Sequence, residues 1–332
     1  MPSTNCRDTT DLFDVIKPNG VVIENKNCAW VSAFPPLRCG FSNVNDYCPV
    51  TCNYCDPSST PTMTPTMTLT MTPTNTGAQQ CWIQRGSDII GDDYYEQSGY
   101  RHDLASDGNA IVIGSYAQNI TNSTGDINLF AGSVSVFYFD DTVSDWNQLG
   151  GDIDGEYYCG HEGEAVSISG DGKVVAVGAH FAADIGSARV FRYDDDDDDW
   201  VQLGQDLYGE YYGDSFGTSL SLSDDGSTLV VGAESNPAGT GDYYYYGGHV
   251  RVYGFDSDND EWVQLGADID GEAFYEYSGY ATDISSDGNT VAVGAPYNNE
   301  TTYYGGQVRV YMYSGSNWDQ VGGDINAEDD FD

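Results

Sequence analysis

The chain has 332 residues, with 53 acidic and 11 basic side chains and a formal net charge of −42. That field excludes a phosphate-backbone binder and argues against docking on anionic lipid. No apolar run approaches the ~18 residues of a membrane span, while 13% aromatics and 40 glycines are too many for a disordered acidic chain.

Residues 1–56 carry a net charge of −2 and six cysteines, Cys6, Cys28, Cys39, Cys48, Cys52 and Cys55. So small a segment cannot bury enough apolar surface alone. The cysteines therefore predict a disulfide framework, each bridge worth roughly 2–4 kcal/mol. Zinc is the rival reading, but Cys52 and Cys55 form an isolated C-x-x-C and no histidine precedes His102. Residues 57–80 hold no charge. Their Thr/Pro repeat with interleaved Met cannot pack a core and reads as an extended linker, O-glycosylated or simply flexible.

Residues 81–332 carry a net charge of −40 and contain an internal repeat. Trp82, Trp146, Trp200, Trp262 and Trp318 mark it, at spacings of 64, 54, 62 and 56 residues. Each opens a near copy of W-x-Q-L-G-x-D-I-x-G-E. An alternating segment follows and ends in Asp107-Gly108, Asp171-Gly172, Asp225-Gly226 or Asp287-Gly288. Then come an apolar run ending in V-G-A, a variable loop and a G-x-V-x-V-Y segment. The D-G pairs between alternating runs are two-residue hairpin signals, and no useful length has a helical period. The pattern predicts an all-β chain: a β-propeller of four-stranded antiparallel blades, with strands a to d, four full repeats and a partial fifth. A solenoid would need shorter repeats and parallel strands.

Phe216-Gly217, the V-G-A runs and Gly294-Ala295-Pro296 before a G-x-V-x-V-Y strand resemble FG-GAP repeats, which build the propellers of integrin α-type extracellular proteins. That family places a calcium loop between strands a and b. Here it is shortened to Ser223-Asp224-Asp225-Gly226 and its equivalents, without the later Asp. The cysteine segment resembles a ShK toxin-type module in Cys6-Arg7-Asp8, Cys28-Ala29-Trp30 and Cys48-x3-Cys52-x2-Cys55. The resemblance implies pairing of Cys6 with Cys55, Cys28 with Cys48, and Cys39 with Cys52. No Lys lies between Cys28 and Cys55, so channel blockade is not supported.

In a propeller the a–b and c–d turns share one face, and the d–a and b–c loops share the other. The c–d turns hold Asp194, Asp196 and Asp198 in a run of six aspartates, and Asp256, Asp258 and Asp260. Clustered carboxylates repel, and calcium would relieve that repulsion; the alternative is a set of solvated hairpin tips. The d–a loops offer Tyr94, Tyr95, Tyr157, Tyr158, Tyr211, Tyr212 and Tyr275 as a ligand-binding platform, or as packing between blades. His161, Glu162, Glu164 and His180 fall within one repeat and could meet, although solvated loop residues fit the pattern better than a zinc cluster. There is no G-x-S-x-G, H-E-x-x-H or phosphate loop.

Sequons at Asn119, Asn122 and Asn299, with the cysteines and the Thr/Pro spacer, predict an extracellular or cell-surface glycoprotein. Met1–Asn5 has no signal-peptide character. The sequence reading is thus three parts: a disulfide module (1–56), a linker (57–80) and a propeller (81–332). Its expected function is non-catalytic binding or adhesion to a glycan or protein ligand, assisted by divalent cations. The alternative is a secreted polysaccharide-acting hydrolase or lyase on a propeller scaffold.

Overall fold

The computed structural model describes residues 12–16, 22–27, 82–91, 95–121, 125–237, 246–299 and 305–328. The chain divides into two compact units, 1–84 and 85–332. In the first, β1 (Leu12–Ile16) and β2 (Val22–Asn27) pair as an antiparallel hairpin with an irregularity between Phe13 and Val15. The six predicted disulfide cysteines and the linker lie outside the described residues.

The second unit is all-β and propeller-like, built from four antiparallel sheets. Blade 1 holds β3 (Arg101–Leu104), β4 (Ala110–Ser115), β7 (Ser133–Asp140), β8 (Asp145–Gln148) and β9 (Ile153–Asp154). A short hairpin of β5 (Ile120–Thr121) and β6 (Ile127–Asn128) sits in its b–c loop. Blade 2 holds β10 (Ala165–Ile168), β11 (Val174–Ala179), β12 (Ser187–Asp194), β13 (Asp199–Gln202) and β14 (Leu207–Tyr208). Blade 3 holds β15 (Phe216–Leu222), β16 (Thr228–Ala233), β17 (His249–Asp256), β18 (Glu261–Gln264) and β19 (Ile269–Asp270). Blade 4 holds β20 (Ala281–Ile284), β21 (Thr290–Ala295), β22 (Gln307–Tyr313), β23 (Trp318–Gln320) and β24 (Ile325–Asn326).

The extra short strand in each sheet is not a fifth blade strand. In blade 2, β13 and β14 both pair with β12, at opposite ends, so together they make one interrupted d strand. The repeat motif explains the interruption. The Gln of W-x-Q-L-G-x-D donates from Nε2 to the Asp four residues on: Gln148 to Asp152 (2.7 Å), Gln202 to Asp206 (2.7 Å), Gln264 to Asp268 (2.6 Å) and Gln320 to Asp324 (2.7 Å). The intervening Gly150, Gly204, Gly266 and Gly322 adopt positive φ of 70–79°.

The same motif joins blade to blade. Each Trp donates its Nε1–H to a carbonyl on the preceding d segment: Trp146 to Arg85, Trp200 to Leu149, Trp262 to Leu203 and Trp318 to Leu265, at 2.7–2.8 Å. The indole needs room beneath it, which the motif glycine supplies. A Cβ on Gly204 would lie 2.8 Å from the Trp262 ring.

The D-G pairs do mark the a–b hairpins, but the loops have four residues, not two. Ala105 N–H bonds Ala110 C=O at 2.9 Å around Ser106–Asn109, with Gly108 at φ +70°. A serine tightens the later copies: Ser223 Oγ donates to Asp225 (2.7 Å) and accepts from Thr228 N–H (3.0 Å).

V-G-A and F-G are halves of one seam. The b-strand glycine of one blade faces the a-strand glycine of the next so closely that a Cβ on Gly114, Gly178 or Gly232 would lie 2.0–2.2 Å from the carbonyl oxygen of Gly163, Gly217 or Gly279. Around these seams, alternate side chains of neighbouring blades bury one another. Val134, Val136 and Ile153 of blade 1 pack with Val175, Val177 and Phe191 of blade 2. Val250, Val252 and Ile269 of blade 3 pack with Val291, Val293 and Tyr311 of blade 4. Among the described residues no helix is long and apolar enough to cross a membrane.

Candidate active site

The six aspartates expected to hold calcium lie in two separate c–d turns. Asp194 accepts the Asp196 N–H (2.9 Å), Asp198 accepts the Tyr193 hydroxyl, and Asp256 accepts from Asp258 N–H (3.0 Å) and Asn259 Nδ2 (2.8 Å). The group of three potential metal donors that converges among the described residues is elsewhere: Glu210, His249 and Asp268, mutually within 4.8 Å. Arg251 occupies it. Its Nε and Nη2 both bond Asp268 at 3.0 Å, and Nη2 also meets Glu210. A fixed guanidinium between the carboxylates opposes a cation there.

That arginine belongs to a recurring clasp. Arg189 on β12 donates to Glu162 (2.9 Å), Glu156 (2.8 Å) and the Asp154 carbonyl (2.7 Å). Arg309 on β22 reaches Glu276 (3.1 Å), Glu272 (3.2 Å) and Ser278 Oγ (2.9 Å). The Glu of each I-x-G-E copy is therefore a structural partner of a c-strand arginine. It ties the d–a loop down and aims the tyrosines that follow.

Those tyrosines diverge in role. Tyr157 bonds Tyr208 hydroxyl to hydroxyl at 3.0 Å, and Tyr211 is half-buried. Tyr158 and Tyr212 are exposed and wall a cavity. Tyr275 stacks on Tyr246 at 5.5 Å, and Tyr246 in turn stacks on Tyr277 at 5.8 Å. Tyr95 projects into solvent, and Tyr94 lies outside the described residues. Of the sequons, Asn119 accepts the Phe130 N–H at 2.9 Å and Asn299 is exposed, whereas Asn122 lies outside the described residues.

The cavity, about 590 Å³, opens on the d–a and b–c side of blades 2 and 3 and is lined by Tyr158, Cys159, His161, His180, Phe181, Asp184, Tyr212, Gly213 and Ser215. His161 comes from the loop before β10, at φ +58°, and His180 directly follows β11. Both turn Nδ1 toward Glu164 Oε2, at 3.5 and 3.2 Å. The His180 contact is at ion-pair distance but is not aligned as a hydrogen bond, so its buried Nδ1 has no hydrogen-bond partner. Phe181 packs on His180 at 3.9 Å with the rings tilted by 43°, and meets His161 edge-on at 5.1 Å. Glu162, grouped with these residues by sequence, instead turns to Arg189.

Burial pushes Glu162 of the Arg189 clasp up to about 7 even against its arginine, and the carboxyls near the cavity shift in the same direction. Burial pushes His180 down to about 4, helped by the neighbouring His161, so its imidazole is neutral over the ordinary pH range. Burial raises Glu164, and His161 opposes the rise. Glu234, directly after β16, is pushed up to about 7, first by burial and then by the charge of Glu164. Its Oε2 is buried without a hydrogen-bond partner. Glu164, which contacts the two lining imidazoles, and Glu234 thus sense each other's charge, although neither lines the cavity itself. One carboxyl is poised to keep its proton near neutrality.

Sequence reading had no reason to select Glu234. It occupies the residue after V-G-A, which is Tyr116, His180, Glu234 or Pro296 in the four blades. Glu164 occupies the residue after the a-strand glycine, which is Tyr100, Glu164, Thr218 or Tyr280. Both are positions where the repeats disagree.

No protein-family profile matches the sequence, and no curated protein matches it. Among solved structures, one named a putative 6-phosphogluconolactonase from Bacteroides fragilis matches at a TM-score of 0.44 and 12% identity, over 68% of this chain and 54% of that one. Another of the same name from Bacteroides uniformis matches at a TM-score of 0.37 and 14% identity, over 68% and 71%. The chain spans about half the length of the first. Both bear enzyme names, which stand against the expected non-catalytic binding or adhesion role and the expectation of no enzymatic activity. With both TM-scores under 0.5, neither fixes an activity for this chain.

Proposed function

We propose that this chain is a secreted hydrolase of carbohydrate, with residues 81–332 forming a β-propeller of four full repeats and a partial fifth. The observation that carries the reading is the cavity lined by His161 and His180, whose Nδ1 atoms lie 3.5 and 3.2 Å from Glu164 Oε2, with Glu234 pushed up to about 7 by burial and by the charge of Glu164. Two carboxyls with separated titrations are what glycoside hydrolysis needs. Protonated Glu234 gives its proton to the leaving glycosidic oxygen as the C–O bond breaks. Glu164, against His161 and His180, takes a proton from the water that forms the new C–O bond. The exposed rings of Tyr158, Phe181 and Tyr212 offer apolar walls for sugar faces. Sequons and the Thr/Pro spacer support an extracellular location.

Reducing-end release from a polysaccharide panel tests this. Glu234→Gln and Glu164→Gln should each lower turnover by about 10²-fold or more, whereas Asp197→Asn, in a distant c–d turn, should not. Equal turnover by the wild type and Glu234→Gln would overturn the assignment.

A further inference from the structure

The cavity also points to what it accepts. Residues 81–332 contain seven Lys and Arg side chains: Arg85, Arg101, Lys173, Arg189, Arg192, Arg251 and Arg309. None of them lines the cavity. Three are the buried clasps on d–a loop carboxylates, and Lys173 is paired with Asp195 at 2.6 Å. Arg101 stays outside the lining, with Nε on the Glu164 carbonyl at 3.2 Å and its guanidinium 5.1 Å from the Tyr100 ring. An anionic group entering the cavity therefore finds no Lys or Arg in its lining.

The walls favour the opposite charge. Tyr158 and Tyr212 are 64% and 70% exposed and reachable by a ligand, and Phe181, which packs on His180 at 3.9 Å, is still 53% exposed. Asp184 completes the lining beside them. Its backbone is fixed at φ +62°, with Asp184 N–H on the Phe181 carbonyl (3.3 Å) and its own carbonyl accepting the Gly213 N–H (2.8 Å). Its carboxylate makes no ion pair or hydrogen bond with the described residues. Open aromatic faces beside one uncommitted carboxylate recognise an ammonium group, through the ring quadrupole and a direct ion pair. On the carbohydrate reading, the cavity of about 590 Å³ makes that ammonium part of a sugar.

We infer that the cavity takes a sugar bearing a protonated primary amine, with Asp184 and the Tyr158, Phe181 and Tyr212 rings holding the ammonium. The inference rests on the carbohydrate reading above, but binding tests it separately from turnover. Calorimetric titration of the full chain at pH 6 compares a glucosamine tetramer with its N-acetylated counterpart and with a uronic acid tetramer. The amine form should bind about tenfold or more tightly than the acetylated form, and the uronate should not bind. Asp184→Asn, which tolerates the left-handed backbone, should abolish the preference. Asp197→Asn removes the same charge outside the cavity and should preserve it, which separates local recognition from general attraction to an acidic protein. Glu234→Gln should also keep the preference while losing hydrolysis. Equal affinity for the amine and acetylated forms, or a preference unchanged by Asp184→Asn, would overturn the inference. Amine preference without hydrolysis of any glycan would instead overturn the hydrolase reading and leave this one standing.

Discussion

Replacing Glu234 by Gln separates the carboxyl's charge from its shape. A carboxyl at about 7 in the folded chain, against an ordinary 4.5, keeps its proton where the unfolded chain has lost it. Below pH 4.5 both states are protonated and the group has no effect on stability. As pH rises through the window from 4.5 to about 7, the unfolded state gains by ionising, and the fold loses stability. At 1.36 kcal/mol per pH unit the full window corresponds to about 3 kcal/mol, and partial contact with solvent brings the expectation to about 2 kcal/mol. Gln cannot ionise and lacks this loss. Urea unfolding of both proteins at pH 4.5 and pH 8 should show Glu234→Gln gaining about 2 kcal/mol on the wild type between the two. The repulsion of the other carboxylates is common to both proteins and cancels. Parallel pH dependence would show that Glu234 is an ordinary solvated acid, and the proton-donor role would fall with it.

His180 gives the mirror case. Held at about 4 instead of 6.5, it costs the wild type stability as pH falls through that window, so His180→Gln should flatten the acid limb by about 2 kcal/mol in the same assay. Arg189→Met leaves Glu162, 2% exposed, without its counter-charge and should destabilise by about 3–5 kcal/mol. Adding Glu162→Gln should recover most of this in thermal unfolding. Gly232→Ala places a Cβ 2.1 Å from the Gly279 carbonyl and should cost more than about 3 kcal/mol, whereas Gly294→Ala, with its nearest neighbour at 3.5 Å, should stay within about 1 kcal/mol by urea titration.

The sequence made the scaffold legible because the scaffold is what repeats. Trp, Gln, Gly and Asp of the d-strand motif each make the same contact in successive blades, so their recurrence reports a shared mechanical duty. The same reasoning misdirects the search for a site. The recurring glutamates before the tyrosine pairs looked like surface chemistry but are committed to Arg189, Arg251 and Arg309, partners on c strands some thirty or more residues away. Only some of the recurring tyrosines face the cavity. His161, Glu164 and His180 could be grouped from the sequence because they fall in one repeat, but Glu234 stands where the repeats diverge, and a period-finding argument averages such a position out. Asp184 was further hidden by its position in a b–c loop, the part of the repeat that varies from blade to blade.

The seams between blades also set where the molecule opens. Val134, Ala188 and Val250 are fully covered by a following blade, yet the equivalent Val308 is 38% exposed, and Ile325 is 61% exposed where Ile153, Leu207 and Ile269 are nearly sealed. When each blade is held by its neighbours, stability behaves as a sum of nearest-neighbour terms, and a blade with one covered side is the first to exchange its amide protons. In a chain of these 332 residues, blade 4 should therefore breathe on a faster timescale than blades 2 and 3, whose loops carry the cavity. The chemistry is thus seated on blades covered on both sides.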